Sequence, residues 1–226
     1  PLNVSDARAF KELGIDGKDI AKCKKDDPHL DEKIRDCMCK TFFDIRTFGA
    51  VMTTFVKNKL NCGQLRGPVQ LSFSRSVDPI VQQEITITRV AITTEADAEK
   101  KGNEMGRKFI VPYALYRCEG YVSANLAQKA TGFSEDDLQL LWQALINMFE
   151  DDHSAARGKM AVRSLIVFKH ASALGNAPSY QLFDAVNTHR REGIVAPRSI
   201  TDYEPITVEK SKIPENVEVI HMWPQE

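Results

Sequence analysis

The sequence lacks any long hydrophobic run. Charged residues break its apolar stretches within about ten positions, whereas a membrane-spanning helix needs roughly twenty apolar residues in succession. The first ten residues, PLNVSDARAF, also lack the basic segment and apolar run of a secretory signal. These absences predict a protein that has no membrane partner.

Cysteine is scarce, and its number is odd. The five cysteines are Cys23, Cys37, Cys39, Cys62 and Cys118. An odd number without a secretion signal is typical of a reducing compartment, so we expect a cytoplasmic location. The first three lie near His29 and offer soft metal ligands, but their spacing matches no zinc knuckle. We therefore expect buried or exposed thiols and no metal site.

An excess of positive charge is also missing. The chain has 30 Lys and Arg against 31 Asp and Glu, which gives a formal net charge of −1. Indiscriminate nucleic-acid binders usually carry a basic excess, so this class is disfavoured. A protein that holds a single strand in one local groove stays open, and local clusters of charge matter more than the sum.

The familiar motifs of nucleotide binding and nucleophilic catalysis are absent: there is no GxSxG, no Walker A and no GxGxxG. Glu150, Asp151, Asp152 and His153 form an acidic cluster, yet a magnesium site needs carboxylates that converge from separate elements. Adjacent acids after a helix are expected to face water. We predict no catalytic residue and no cofactor, with a metal-dependent nuclease built on this cluster as the alternative.

Helical patterns open the chain and recur near its middle. Residues 1–40 indicate a small helical lobe, because apolar residues such as Leu30 and Ile34 repeat at helical spacing. Residues 134–150 predict the clearest helix, since Ser134 and Asp137 form a capping box ahead of an apolar stripe. The stripe is typical of a core-facing helix.

The segment Gly63–Ser76, GQLRGPVQLSFSRS, alternates as a half-buried strand does. We expect its two faces to carry Val69, Leu71 and Phe73 toward the core, and Gln70, Ser72 and Ser74 toward a groove. The alternation by itself predicts only the strand.

Two further strand patterns, residues 84–94 and 109–123, flank a polar segment that contains two glycines. This arrangement predicts a long hairpin, either an ordinary solvated one or an arm that reaches another molecule. Residues 165–170, LIVFKH, predict a short buried strand.

Several clusters combine cations with small polar residues. Arginine, hydroxyls and backbone N–H groups position a sugar–phosphate chain without reading its bases, and an apolar side chain can wedge between bases. Surface solvation is the alternative at each position. The candidate nucleic-acid contacts are Arg46, Arg66, Gln70, Ser72, Ser74, Arg75, Ser76, Met105, Arg107, Lys108, His153, Arg157 and Lys159, with Lys100 and Lys101 near the hairpin tip and Arg163 after the central helix.

The order of elements is strand, hairpin, strand, helix, strand, and it predicts the α+β class. With a leading strand and helix it would be the βαββαβ pattern of ferredoxin-like and RNA-recognition folds. Residues 1–40 offer helices where that first strand is expected.

Several long motifs occur together in one order. They are FFDIRTFGAVM, GQLRGPVQLSFSRSVDPI, FIVPYALYRCEGYVSA, TGFSEDDLQLLWQALINMFEDDHSAARGKMAVRSLIVFKH and LGNAP. Over residues 40–200 the chain resembles the repeated backbone subunit of the type I-C CRISPR surveillance complex, Cascade (the Cas-seven family, subtype I-C).

The resemblance implies a modified RNA-recognition-motif palm with a helical finger insertion and a long β-hairpin thumb. It places the finger-like lobe at residues 1–40, the first part of the palm at 41–76, the thumb at 77–108, and the rest of the palm with a C-terminal extension at 109–226. Copies of such a subunit polymerise head-to-tail along one crRNA, and a contact of that kind generates open helical filaments. The implied partners are the crRNA, target DNA paired to the guide, further copies and other Cascade subunits.

The same resemblance implies that the subunit is not the nuclease. Guide maturation is expected from a partner subunit, and DNA cutting from a recruited helicase–nuclease. The groove residues would be Arg46, Gln70, Ser72, Ser74, Arg75 and Ser76, and the second contact region His153, Arg157 and Lys159. The alternatives are a metal-dependent CRISPR repeat ribonuclease of related fold and a purely structural assembly subunit.

The chain departs from the family at its start. Members begin with a strand, a turn rich in Asn, Pro, Gly and Asp, and a lysine-rich first helix, and none of these is present here. We expect that the N-terminal segment of the family is missing from this sequence.

Overall fold

The computed structural model describes residues 2–15, 20–52, 62–91, 95, 104–155 and 157–224. Helices and strands both occur throughout this part, as the α+β prediction requires. Within it, no helix is long and apolar enough to cross a membrane.

The helices are α1 (Leu2–Glu12), α2 (Ile20–Asp26), α3 (Leu30–Thr41), α4 (Phe43–Phe48), α5 (Ala124–Leu126, continued by a π-helix over Ala127–Thr131), α6 (Glu135–Asn147) and α7 (Ser179–Phe183), with 3₁₀ turns at Ile200–Asp202 and Lys210–Lys212. The strands are β1 (Gly49–Met52), β2 (Gly63–Arg66), β3 (Val69–Leu71), β4 (Arg75–Ser76), β5 (Gln83–Arg89), β6 (Glu104–Ile110), β7 (Tyr116–Arg117), β8 (Gly120–Val122), β9 (Leu165–His170), β10 (Val186–Asn187), β11 (Thr207–Val208) and β12 (Val217–Trp223).

The helices predicted for residues 1–40 are present, and they form one core with the first β-hairpin. Ile34 and Met38 of α3 are almost completely buried, and they belong to the same cluster as Met52 and Leu65 of β1 and β2. Their burial follows from the apolar repeat of α3, which places one stripe toward its neighbours. The lobe is therefore packed against β1 and β2.

Helix α6 anchors a second core. Its predicted capping box is confirmed: Ser134 Oγ accepts from the Asp137 N–H at 3.2 Å, and the Asp137 carboxylate accepts from the Ser134 N–H at 2.9 Å. The helix ends at Asn147, three residues earlier than predicted. Leu141 packs there against Val69 of β3 and Phe133.

The predicted long hairpin is present, but its bounds differ: β5 ends at Arg89, and β6 begins at Glu104, inside the segment predicted as the polar tip. The paired segment also extends beyond β5 and β6. The pairs β3–β8, β4–β7 and β5–β6 follow one another as a single antiparallel ribbon, which runs from Val69↔Val122 to Arg89↔Glu104. Residues 72–74 of one strand face residues 118–119 of the other, so one extra residue forms a β-bulge there. A second irregular join sets residues 77–82 against 111–115.

Part of the predicted core face is wrong. Val69 is buried as expected, but Leu71 is 47% exposed and Phe73 is 98% exposed. The extra residue breaks the period of two after Leu71, so the alternation does not extend to Phe73. Leu71 precedes the bulge and shares the face of Val69, but the core anchored by α6 includes Val69 and not Leu71. The contact predicted between these three residues and the central helix exists only for Val69.

Every sheet among the described residues has two strands. Besides the ribbon and β1–β2, β9 pairs with β12 and β10 pairs with β11. The strand predicted for LIVFKH is confirmed as β9, although its apolar residues are half-buried and Lys169 is exposed. The palm of an RNA-recognition motif stays a prediction.

Candidate nucleic-acid interface

The outer part of the ribbon stands free of the body. All residues from Pro79 to Ala91 are exposed, and no residue from Met105 to Pro112 is buried. We call residues 79–91 and 105–112 the hairpin arm. Its exposed large apolar side chains are Ile80, Val81, Ile85, Ile87, Val90, Met105, Phe109 and Val111.

The arm has two different faces, because paired residues of an antiparallel ladder share a face. Met105 and Arg107 lie on one face with Phe109, in register with Thr88, Thr86 and Glu84. Lys108 lies on the opposite face beside Ile85. The structure therefore brings together the predicted wedge Met105 and the predicted cation Arg107, and it separates Lys108 from them. Lys100 and Lys101 lie outside the described residues.

The root of the arm is held by a small polar cluster. Asp78 Oδ1 lies 3.6 Å from Arg190 Nε, and its carboxylate neighbours the Tyr203 hydroxyl. Burial and then Asp78 raise the pKa of Tyr203 to about 12. Tyr113 lies in the segment between β6 and β7, and the centroid of its ring is 6.5 Å from that of the Tyr203 ring. The arm thus meets the body at Asp78 and Tyr113, the last residues before its exposed stretch.

The start of the ribbon carries the predicted groove residues. Ser72, Ser74 and Arg75 are exposed and Ser76 is half-buried. Arg75 lies directly opposite Arg117 in the ladder. Arg117 is bound, since its guanidinium donates to the carbonyls of Phe183 and Val186, while Arg75 has no ion pair with any described residue.

Two other predicted residues border this region. Gln70 is exposed, and its side-chain amide donates to the Gly67 carbonyl at 3.4 Å. Arg66 is exposed at the end of β2, opposite Gly49. No hydrogen bond or ion pair joins the Arg66 side chain to the part of the chain that the structure describes.

Arg46 lies at a different kind of site. Its Nε and Nη2 donate to the two oxygens of Asp137 at 2.8 and 2.6 Å, and Nη1 donates to the Cys39 carbonyl at 2.7 Å and the Lys40 carbonyl at 3.2 Å. This pairing lowers the pKa of Asp137 to about 2 and raises that of Arg46. The planar fork of arginine fits such a bidentate contact. Arg46 thus joins the two cores through α6, and its predicted contact with RNA stays a prediction.

Arg46 also lines an open groove of about 440 Å³, together with the last turns of α3 and the π-helix. Lys40 and Lys129 contribute positive charge there, and Asp36 contributes negative charge. The groove is separate from the ribbon residues named above.

The second predicted contact region lies in the connection between α6 and β9. His153, Arg157 and Lys159 are all exposed. Arg157 Nη2 donates to Asp152 Oδ1 at 2.8 Å, which ties up one acid of the Glu150–His153 cluster. Among the described residues, no three His, Cys, Asp or Glu side chains are placed to hold a metal ion.

The predicted cations fall into two groups. Arg46, Arg107 and Arg157 pair with Asp137, Glu84 and Asp152 respectively. Within the described ranges, the side chains of Arg66, Arg75, Lys108 and Lys159 have no ion pair. An exposed cation without a carboxylate partner can meet a phosphate without first breaking a contact.

Sequence reasoning missed two residues of this surface. Arg117 fixes the ribbon to α7, and only its place opposite Arg75 shows this. Phe73 was expected in the core, and the bulge that exposes it has no signature in the sequence pattern. Neither position could be found from alternation, because both depend on strand register.

A search of curated proteins finds no match to this chain. The family model described as CRISPR-associated protein Cas7 matches residues 3–209, which cover the helical lobe, the ribbon, α6 and β9. The chain therefore belongs to the Cas7 family of CRISPR-associated proteins.

Proposed function

We propose that this chain is a non-catalytic backbone subunit of a type I-C Cascade complex. Copies bind one crRNA head-to-tail in the cytoplasm and present it for pairing with target DNA. Family membership supports the coarser statement of a CRISPR-associated, RNA-binding backbone subunit. The finer proposal rests on the hairpin arm and the cations at its base.

The arm is the observation that carries the proposal. A lone two-stranded hairpin is at best marginally stable in water, and a large exposed apolar surface usually marks a contact site. Here Met105 and Phe109, 71% and 61% exposed, flank Arg107 on one face. A surface of this kind suits a neighbour that presents both apolar groups and phosphates, such as a second copy with RNA bound.

The base of the ribbon suits the sugar–phosphate backbone itself. Ser72, Ser74 and Arg75, which has no ion pair with the part of the chain that the structure describes, offer short hydroxyls and one guanidinium on an exposed surface. Such groups bind phosphates and riboses without reading sequence, which leaves recognition to base pairing, as guided effectors do. The formal net charge of −1 is compatible with this arrangement because the positive charge is local.

RNA binding is tested with the chain purified together with its partner subunits. We expect RNA to co-purify at low salt and the binding constant to fall as salt rises, because phosphate contacts release counterions. R75E with R66E is expected to weaken RNA binding at least tenfold. The matched control is E209Q with K212Q, which removes an exposed ion pair outside the predicted RNA contacts without reversing charge.

Three outcomes decide between the alternatives. A complex free of RNA at low salt contradicts the proposal. Retention of RNA by R75E/R66E, with assembly intact, shows that the groove assignment is wrong and favours a purely structural subunit. Mg²⁺-dependent cleavage of repeat RNA that is lost in D152N favours the ribonuclease.

A further inference from the structure

Phe73 is the most exposed large apolar side chain of the described residues, at 98%. It lies in the bulge between β3 and β4, two residues before Arg75. Single apolar residues on a surface need no special explanation, so exposure alone argues little. The backbone around Phe73 and the chemistry of its neighbours argue more.

The bulge that presents Phe73 is tied down on both strands. The Ser72 N–H donates to the Glu119 carbonyl at 2.8 Å, and the Glu119 N–H donates back to Ser72 Oγ at 3.2 Å. The Cys118 thiol donates to the Ser72 carbonyl at 3.3 Å. Bulges of this kind re-aim a side chain, and these contacts fix where the extra residue points. Phe73 therefore follows a residue whose backbone and side chain are both bonded to the opposite strand.

The residues next to Phe73 are polar, and at two residues' distance it has the half-exposed Leu71 on one side and the cationic Arg75 on the other. Ser72 and Ser74 flank it in the chain, and the exposed Arg75 has no ion pair with any described residue. An aromatic ring that docks into a protein pocket is usually surrounded by other apolar groups. An aromatic ring beside serine hydroxyls and a free guanidinium is typical of single-stranded RNA recognition, where bases stack on rings and phosphates meet cations.

We propose that Phe73 is a stacking platform for one unpaired base of the bound RNA, while Arg75 holds an adjacent phosphate. This inference rests on the proposed function and assigns a binding role to one further residue. The stacking is independent of base identity, because every base has a π-face.

The test compares RNA affinity of four chains in the assembled complex: wild type, F73S, F73W and L174S. Leu174 is the matched control, since it is 91% exposed and lies in the loop after β9. The probes are a single-stranded RNA of guide length and the same RNA with abasic sites. Near-complete exposure of Phe73 means that F73S is expected to fold normally.

We expect F73S to weaken binding of the intact RNA about tenfold and F73W to retain it, with L174S unchanged. Abasic RNA should bind wild type and F73S equally, because the lost contact is with a base. The slope of log affinity against log salt should be the same for both, because the phosphate contacts remain.

If the wild type binds RNA and F73S binds it with the same affinity, the inference is overturned and the proposed function stays intact. A tenfold loss that persists on abasic RNA also overturns it. Loss of self-association with RNA affinity unchanged assigns Phe73 to a protein contact and overturns it too. If the wild type binds no RNA, the proposed function itself fails, and the inference with it.

Discussion

The helical body and the hairpin arm differ in where their apolar side chains lie. In the body, Ile34, Met38 and Val69 are almost completely buried. In the arm, no described residue is buried, although its strands are rich in isoleucine and valine. The same residue types therefore stabilise the fold in one region and stay available to a partner in the other. Burial on folding accounts for the body, and burial on assembly is our explanation for the arm.

The largest expected difference concerns two glycines. A Cβ on Gly67 would clash with the backbone of Thr47, Phe48 and Gly49, whereas one on Gly106, in the arm, meets open space. We expect G67A to lower the free energy of unfolding by about 3 kcal/mol or more, because backbone cannot yield cheaply. G106A should change it by less than about 1 kcal/mol. Chemical denaturation of both variants checks this, and equal losses would contradict the distinction between body and arm.

The second prediction concerns the ion pair that joins the two cores. R46A leaves the poorly exposed Asp137 carboxylate without its main partner, so we expect a loss of about 2–4 kcal/mol. R157A, which breaks the exposed pair with Asp152, should cost less than about 1 kcal/mol. The measurement is the denaturation midpoint of each variant.

The same pair predicts a pH dependence. The folded pKa of Asp137 is lowered to about 2, so its stabilising contribution is fully present at neutral pH. It is lost as the pH falls from about 4 toward 2, because the unfolded chain takes up the proton in this range while the folded carboxylate stays ionised. D137N should show a flatter stability curve across this window. An equally steep curve would show that other carboxylates account for the acid sensitivity.

The third prediction concerns the root of the arm, where the arm joins the body. D78N removes the charge that faces Arg190 at the root of the arm, and we expect a loss of about 1 kcal/mol. Hydrogen exchange should speed up at the Val77 amide, which donates to the Leu115 carbonyl at 2.8 Å. E84Q, which breaks a pair inside the arm, is the control. Unchanged exchange at Val77 in D78N would mean that Asp78 does not fix the root.

Sequence patterns predicted those elements whose signals are local. The capping box of α6 and the apolar repeat of α3 are complete within a few neighbouring residues, and both are confirmed. The bulge at residues 72–74 depends on which residues of the second strand face the first, so the exposure of Phe73 was missed. The exposure of Leu71 was missed because the extent of the core depends on tertiary packing, which reaches Val69 and not Leu71. A period of two holds only while the register does.

The candidate site divides in the same way. The residues predicted for RNA contact came from local clusters of cations with small polar residues and from the family resemblance, and most of them are exposed. The partner of each cation was not predictable, because Arg46 and Asp137 are 91 residues apart in the chain. Sequence alone could not separate Arg46, which pairs with Asp137, from Arg75, which pairs with none of the described residues.

The variant with the smallest expected effect on stability is the one that tests the central claim about the arm. M105S with F109S removes two exposed apolar side chains from one face, so the free energy of unfolding should change by less than about 0.5 kcal/mol. Assembly should change far more, because this face is the proposed contact with a neighbouring copy and its RNA.

The most direct measurement is the number of copies bound per RNA as RNA length increases, determined by sedimentation in the presence of the partner subunits. Our account predicts that copy number rises with length for the wild type, and that M105S/F109S binds at least tenfold more weakly to long RNA with normal stability. A double variant that fills long RNA as the wild type does would contradict the claim that the arm is a surface for assembly.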